Sequence, residues 1–220
     1  MAVPPNFAGH KMCFSAPGQP SPAGVPTTKH TLELFLDYCC PFSGKMYTTL
    51  FNTIIPMIRS KPSYSAGIEL VFRQQIQPWH PQSALMHEAA LAVLQINPEK
   101  FWNYSAELFK HQKEYFDTEV VNETRNETYK RLVNLASDTC GIDAGKMMDL
   151  LVVSDEPTSD GTMNGGNKVT NDVKMITKMS RLVGIHVTPS VIFDGVPYPA
   201  ISSGWGKDEW EGFLKERCSV

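Results

Sequence analysis

The order of apolar and polar residues near the start of the folded region predicts a strand, a helix and a second strand. The segment T-L-E-L-F-L at 31–36 is rich in β-forming residues and is followed by the turn-prone D-Y-C-C-P. Pro41 suits the first turn of a helix, and apolar residues at helical spacing continue from Phe42 into the high fifties, where Pro56 is expected to kink or end the helix. A buried strand over 67–72 completes a parallel β-α-β unit.

The middle of the chain has the residue spacing of helices. Apolar residues lie on one side of 83–95, and Asn97 followed by Pro98 is typical of a helix N-terminus. Further helices are predicted through Phe101, Leu108 and Phe109, and over 128–137, 144–152 and 167–182. Because this is more helix than the connections of a small sheet need, it predicts an inserted helical cap.

Strand patterns return after Gly184. A short strand is predicted over 190–193, a hairpin turn at Asp194-Gly195, a partner strand over 196–201 and a closing helix over 208–216. The predicted fold class is therefore α/β, with the order β-α-β, inserted helices, then α-β-β-α.

Composition divides the chain into a tail and one folded domain. Residues 1–28 contain six of the 16 prolines, which predicts a flexible Pro-rich N-terminal tail. The folded part is predicted to consist of 29–76 and 183–220, with 77–182 forming the helical cap and a connecting helix. Apolar residues make up 42% and charged residues 20% of the chain, as in ordinary globular proteins.

Charge and hydropathy argue against nucleic-acid and membrane partners. The formal charge of −3 and the pI near 6.1 give no basic field, and no stretch reaches the roughly eighteen apolar residues of a membrane span. The first residues lack the features of a secretory signal, so we expect a cytoplasmic protein. The five cysteines show no metal-like spacing, and they predict neither a disulfide framework nor a metal site.

The sharpest chemical signal is Cys40-Pro41-Phe42-Ser43, which follows a strand and opens a helix. A sulfur at this place faces unpaired backbone N–H groups and the positive end of the helix dipole, and both favour the thiolate. The pattern C-x-x-S by itself is common by chance. Its place between a predicted strand and a predicted helix makes it informative. The sequence therefore predicts a reactive thiol at Cys40.

A second motif, Gly184-Ile-His-Val-Thr-Pro-Ser190, leads into a strand although proline removes a ladder donor. Together, L-E-L-F-L-D-Y-C-C-P-F-S and G-I-H-V-T-P-S-V-I-F-D-G resemble the DsbA-like thioredoxin-fold family, as a C-x-x-S variant. The resemblance covers about Thr31 to the C-terminus. It implies a thioredoxin-like domain formed by 29–76 and 183–220, with 77–182 inserted between its halves.

The resemblance also implies roles for the residues of the two motifs. Cys40 is then the nucleophile, and Pro41 and Phe42 adjust its reactivity and contact the substrate. Thr188 and Pro189 form the cis-proline loop, whose backbone receives an extended peptide or glutathione.

Ser43 departs from the family pattern, because members that exchange dithiols carry a second cysteine at this place. A hydroxyl cannot displace a mixed disulfide, although Ser43 could assist catalysis by donating a hydrogen bond to the Cys40 sulfur. Cys39 is a poor substitute, since consecutive Cα atoms lie only about 3.8 Å apart and disulfides prefer about 4.4–6.8 Å. External glutathione is therefore expected to act as the resolving thiol.

These observations predict a thiol–disulfide oxidoreductase that acts through one cysteine and binds no cofactor, with glutathione as co-substrate. Its partners would be disulfide-containing or glutathionylated proteins, or small thiols. One alternative is an enzyme similar to kappa-type glutathione transferases and isomerases, which use a serine to stabilise bound glutathione thiolate. The other is a non-catalytic binding protein in which Cys40 is only a small buried apolar residue.

Three histidines lie near these motifs or beside aromatic and proline residues. Trp79-His80-Pro81 and His87 have no further ligand at metal spacing, so they are assigned to structure. His186, three residues before Pro189, is interpreted as a surface or core-edge histidine, with a proton shuttle as the alternative.

Overall fold

A computed structural model describes residues 3–14 and 29–218 of the chain. Its centre is a five-stranded sheet with the order β1-β3-β2-β4-β5. The strands are β1 Lys11–Cys13, β2 His30–Leu36, β3 Ile68–Gln74, β4 Ser190–Phe193 and β5 Val196–Pro197. The last five residues of both β2 and β3 are buried, as expected for strands that are covered on both faces.

The strand pairing confirms the predicted β-α-β unit. β2 and β3 run parallel, with Leu32 opposite Leu70, whereas β4 runs antiparallel to β2, with Leu34 opposite Val191. These pairings bring apolar side chains of distant segments together in one core, and they place the ends of β2 and the start of β4 at the same edge of the sheet.

Helices surround the sheet and form the insertion. They are α1 Pro41–Thr49, α2 Ile55–Ser60, α3 Pro62–Gly67, α4 Ser83–Ile96, α5 Phe101–Lys110, α6 Asp117–Val120, α7 Arg125–Cys140, α8 Ala144–Leu151, α9 Thr170–Leu182 and α10 Lys207–Cys218. Most of α4 is buried, which explains why its apolar residues extend beyond one narrow stripe. The predicted fold class, a thioredoxin-like α/β fold with inserted helices, is confirmed.

The first long helix changes its hydrogen bonding before Pro56. Leu50–Ile54 is a π-helical segment, in which the N–H of Ile55 bonds to the carbonyl of Leu50, five residues earlier. Proline has no N–H for the normal bond and its ring crowds the preceding turn, so a local π segment accommodates it and α2 continues the helix.

Part of the predicted flexible tail, 1–28, is folded. Residues 5–10 form a 3₁₀ helix, and β1 pairs antiparallel with β3, with Met12 opposite Leu70. Phe7 and His10 are 2% and 3% exposed, and the ring of His10 packs edge-on against Phe101. For 3–14 the prediction is wrong, because proline content says nothing of two side chains whose partners lie far along the chain. Residues 1–2 and 15–28 of the predicted tail lie outside the described ranges.

The C-terminal hairpin is shorter than the sequence pattern indicates. The turn at Asp194 and Gly195 has positive φ at both residues, as the predicted hairpin requires, but β5 spans only Val196–Pro197 and not 196–201. Proline cannot donate to a strand ladder, and a second proline follows at 199, so regular pairing ends early. Within the described ranges, no helix has the length and apolar character to cross a membrane.

Candidate functional site

Cys40 lies where the end of β2 turns into α1. It is the N-cap residue of α1 in an extended conformation, and Pro41 is the first helical residue, as its fixed φ and missing N–H predict. The Cys40 Sγ donates a hydrogen bond to the Thr188 carbonyl oxygen at 3.4 Å. Only 5% of Cys40 is exposed, so its neighbours hold the sulfur against this carbonyl. The two predicted motifs therefore meet in space.

The loop opposite Cys40 contains a cis peptide bond between Thr188 and Pro189. Two glutamines from the segment after β3 support it: Gln75 Nε2 donates to the Ile185 carbonyl at 3.3 Å, and Gln77 Nε2 donates to the His186 carbonyl at 3.2 Å. Gln77 Nε2 also lies 3.4 Å from the Thr188 hydroxyl. The polar residues after β3 thus fix the backbone that faces the Cys40 sulfur.

Asp37 organises the turn that carries Cys40. Its Oδ1 accepts the N–H groups of Cys39 at 2.7 Å and Cys40 at 3.0 Å, and its Oδ2 accepts the N–H of Gln77 at 2.7 Å. Burial raises the pKa of Asp37, although these N–H groups and the nearby His80 ring act in the opposite direction. One carboxyl group therefore ties the Cys40 turn to the segment that supports the cis-proline loop.

Ser43 has a structural contact and does not meet the sulfur as expected. It is fully buried, and its Oγ accepts a hydrogen bond from the N–H of Asp37 at 3.3 Å. Among the described residues, the hydrogen bond of the Cys40 Sγ goes to Thr188, because the side chain turns toward that loop. The hydroxyl of Ser43 thus stabilises the strand-to-helix turn.

Gln112 from the insertion closes the turn from the other side. Its Nε2 donates to the carbonyl groups of Tyr38 at 2.9 Å and Cys40 at 3.3 Å. Gly44 allows this approach, since a Cβ at that position would lie 2.5 Å from the Gln112 Oε1. Asp37, Gln77 and Gln112 were missed in the sequence, where single polar residues without periodicity gave no signal.

Cys39 and Cys40 are neighbours in sequence but have different surroundings. The Cys39 Sγ lies 3.4 Å from the Met86 Sδ and faces a cavity of about 350 Å³ that Tyr115 and Phe116 also line. Burial, together with Asp37, Asp117 and Cys40, raises the pKa of Cys39 far above its ordinary value. Cys39 is therefore a protonated, apolar-facing thiol at neutral pH.

The surface around Cys40 exposes apolar side chains from three segments. Phe42 is 63% exposed, Trp79 62% and Val187 53%, whereas Thr188 and Pro189 are partly buried. Such side chains suit contact with a polypeptide or another partly apolar substrate. The expected substrate residues Pro41 and Phe42 are both accessible beside the sulfur.

Other potential chemistry is sparse in the described part of the chain. No group of three or more His, Cys, Asp or Glu side chains in these ranges could hold a metal ion. All five cysteines are free thiols; Cys13 is exposed, whereas Cys140 and Cys218 are buried. Cys40 is the thiol that combines a helix N-terminus with an opposing cis-proline loop.

The fold is a thioredoxin-like α/β fold with a helical insertion, in which the Cys40 turn lies opposite a loop with a cis-proline. The sequence itself matches no protein-family model and no curated protein. Solved structures, in contrast, match over most of the chain.

Three of these structures illustrate the likeness. A proposed protein-disulfide isomerase from Pseudomonas syringae has a TM-score of 0.65 and 21% identity, covering 86% of this chain and 96% of its own. BdbD from Bacillus subtilis has a TM-score of 0.57 and 18% identity, with 87% and 88% covered. The disulfide bond oxidoreductase DsbG from Mycobacterium tuberculosis has a TM-score of 0.59 and 16% identity, with 96% and 87% covered. At these identities the likeness establishes the fold.

Proposed function

We propose that this protein catalyses thiol–disulfide exchange through the single thiol of Cys40, with glutathione as co-substrate. The observation that carries the proposal is the Cys40 Sγ at the start of α1, 3.4 Å from the Thr188 carbonyl oxygen, which belongs to the cis peptide bond. The hydrogen bond to Thr188 is made by the protonated thiol. The thiolate is the attacking form of a cysteine, and the positive end of a helix favours it. The structural neighbours from P. syringae and M. tuberculosis, described as a protein-disulfide isomerase and a disulfide bond oxidoreductase, support the same proposal.

The proposed reaction has two displacement steps. The Cys40 thiolate attacks the glutathione sulfur of a glutathionylated thiol, forms a mixed disulfide with glutathione, and releases the substrate thiolate, which takes a proton from water. A second glutathione, as thiolate, then attacks the glutathione sulfur of the mixed disulfide. Glutathione disulfide leaves and the Cys40 thiolate is regenerated. The substrate sulfur is reduced and the sulfur of the incoming glutathione is oxidised, while the other half of the glutathione disulfide comes from the glutathionylated substrate.

The need for an external thiol follows from the two nearest candidates inside the protein. Ser43 is buried and carries a hydroxyl, which cannot resolve a mixed disulfide, and the Cys39 sulfur contacts Met86 in the core. The same burial argues against Ser43 as the hydroxyl that would stabilise bound glutathione thiolate in a transferase. We place the activity in the cytoplasm, because the resolving step requires reduced glutathione.

The test is adduct formation with glutathione disulfide, measured by intact mass. The exposed Cys13 is replaced by alanine in every sample, since it would otherwise give an unrelated adduct. We expect one glutathione per chain, lost in Cys40→Ala and released by added glutathione. If the Cys13→Ala protein takes up no glutathione, or retains its adduct after Cys40→Ala, Cys40 is not the nucleophile.

A further inference from the structure

A cavity of about 370 Å³ lies behind the cis-proline loop, outside the contacts of Cys40 itself. It is bounded by the segment after β3, by the last turns of α9 and by the residues that precede Thr188. The Trp79 indole forms one wall and is 62% exposed. The volume is within the range of small-ligand sites, about 300–1,000 Å³.

The described lining of this cavity carries positive charge and no negative charge. Arg181 and His186 both line it, and none of its described lining residues is acidic. Arg181 takes no part in the ion pairs that the described residues form. The hydroxyl-bearing residues Thr177 and Ser180 complete a set of groups that can donate hydrogen bonds. A free guanidinium in a concave site without carboxylates suits a carboxylate ligand.

Gln75 adds an acceptor to the same cavity. It is only 8% exposed, and its Oε1 has no hydrogen-bond partner among the described residues, while its Nε2 bonds to Ile185. A buried carbonyl oxygen without a donor is costly in a native protein, and an amide N–H of a ligand would satisfy it. The cavity thus combines groups for a carboxylate with one for an amide, both of which a small peptide carries.

The cavity is connected to the reactive centre through one side chain. Gln77 lines the cavity, and its Nε2 contacts both the His186 carbonyl and the Thr188 hydroxyl. The carbonyl of Thr188 in turn contacts the Cys40 Sγ. A ligand with its sulfur at Cys40 can therefore follow the cis-proline loop and place its end in the cavity.

We propose that this cavity binds a carboxylate of a peptide thiol of the glutathione class, with Arg181 as the charged group and Trp79 as the wall. The inference rests on the proposed function, because it names the part of the same site that selects the co-substrate. Arg181 is then a specificity residue, which contacts the far end of the ligand and takes no part in the sulfur chemistry.

The direct test measures binding without reaction. S-Methylglutathione keeps the carboxylates and amides of glutathione but has no free thiol, and its binding is followed by quenching of tryptophan fluorescence, which Trp79→Phe should abolish. We expect Arg181→Gln to raise its Kd about five- to tenfold, as expected for the loss of a partly exposed charge-assisted hydrogen bond. Lys178→Gln is the matched control: it removes the same charge from an exposed site on the same helix and should leave the Kd unchanged.

A second measurement separates this inference from the proposed function. The rate of adduct formation at Cys40 is compared for glutathione disulfide and for the neutral bis(2-hydroxyethyl) disulfide, and Arg181→Gln should slow only the first. Absence of S-methylglutathione binding, an equal effect of both charge variants, or equal slowing with both disulfides overturns the inference. Arg181-dependent binding in a protein whose Cys40 reacts with neither disulfide overturns the proposed function and leaves the binding site in place.

Discussion

Acidification should destabilise this protein through two buried histidines that bridge the N-terminal segment and the insertion. Gln74 donates from Nε2 to His10 Nε2 at 2.8 Å, and its Oε1 accepts the Nδ1 hydrogen of His87 at 2.7 Å. Burial lowers both pKa values to about 3, with Arg73 contributing at His10 and His10 contributing at His87. A proton on His10 Nε2 would also face the Gln74 amide hydrogens, so the native state resists protonation.

Acidification lowers the stability because each histidine has a lower pKa in the folded state than in the unfolded state. Each folded-state pKa lies below the ordinary value of 6.5, so the stability is present above pH 6.5 and is lost as the pH falls toward 3. At pH 5 the native rings stay neutral, whereas the unfolded rings are protonated, because this pH lies about 1.5 units below their pKa. Protonation of the unfolded chain therefore lowers the free energy of unfolding by about 2 kcal/mol per histidine. Together the two histidines lower the free energy of unfolding by about 4 kcal/mol, and the whole free energy of unfolding of a protein is typically about 5–15 kcal/mol.

Urea unfolding at pH 8 and pH 5 measures this loss. The free energy of unfolding should fall less between pH 8 and pH 5 in His87→Gln than in the wild type, by about 2 kcal/mol. This holds whatever stability the variant loses at pH 8. His186→Gln, which removes an exposed histidine, should keep the wild-type difference. If His87→Gln loses as much stability on acidification as the wild type, the neutral buried pair is the wrong explanation.

Three further predictions concern packing and thiol reactivity. Iodoacetamide at pH 8 should label Cys40 and leave Cys39 unlabelled in native protein, because burial and nearby acids raise the pKa of Cys39; peptide mapping that finds equal labelling contradicts this. Gly44→Ala should cost about 1–3 kcal/mol in urea unfolding by displacing Gln112, and the cost should shrink in a Gln112→Ala background; additive costs would refute the contact. Phe7→Ala should cost about 3–5 kcal/mol, whereas a flexible tail would show almost no loss.

The parts of the fold that could be predicted are those with a local signature. The alternating and continuous apolar runs of β2 and β3 identify central strands, and Pro41 identifies the start of α1 from its own stereochemistry. The cis bond before Pro189 has no such signature, because the local sequence is compatible with either isomer. It was expected only from the resemblance to a known family.

The residues that position Cys40 could not be predicted, since their role depends on partners that only the folded chain brings together. Asp37 and Gln77 become neighbours because β2 and β3 are parallel and end at the same edge of the sheet. Gln112 reaches the turn from an inserted helical segment whose position no spacing rule determines. In each case one polar side chain forms hydrogen bonds with backbone groups. A single residue gives no periodic pattern, so its role could not be predicted from the sequence.

The pair Cys39-Cys40 shows why composition alone misjudges thiol chemistry. Asp37 accepts the N–H groups of both residues and so fixes a tight turn, in which one sulfur enters the core beside Met86 while the other meets the cis-proline loop. Two adjacent thiols therefore supply one candidate nucleophile and no resolving partner. A mixed disulfide formed there persists until an outside thiol arrives, so the resolving step of the proposed cycle depends on how that thiol binds. On this reasoning, the Arg181 cavity should control the resolving rate more strongly than any substitution of Ser43 or Cys39 that leaves the fold intact.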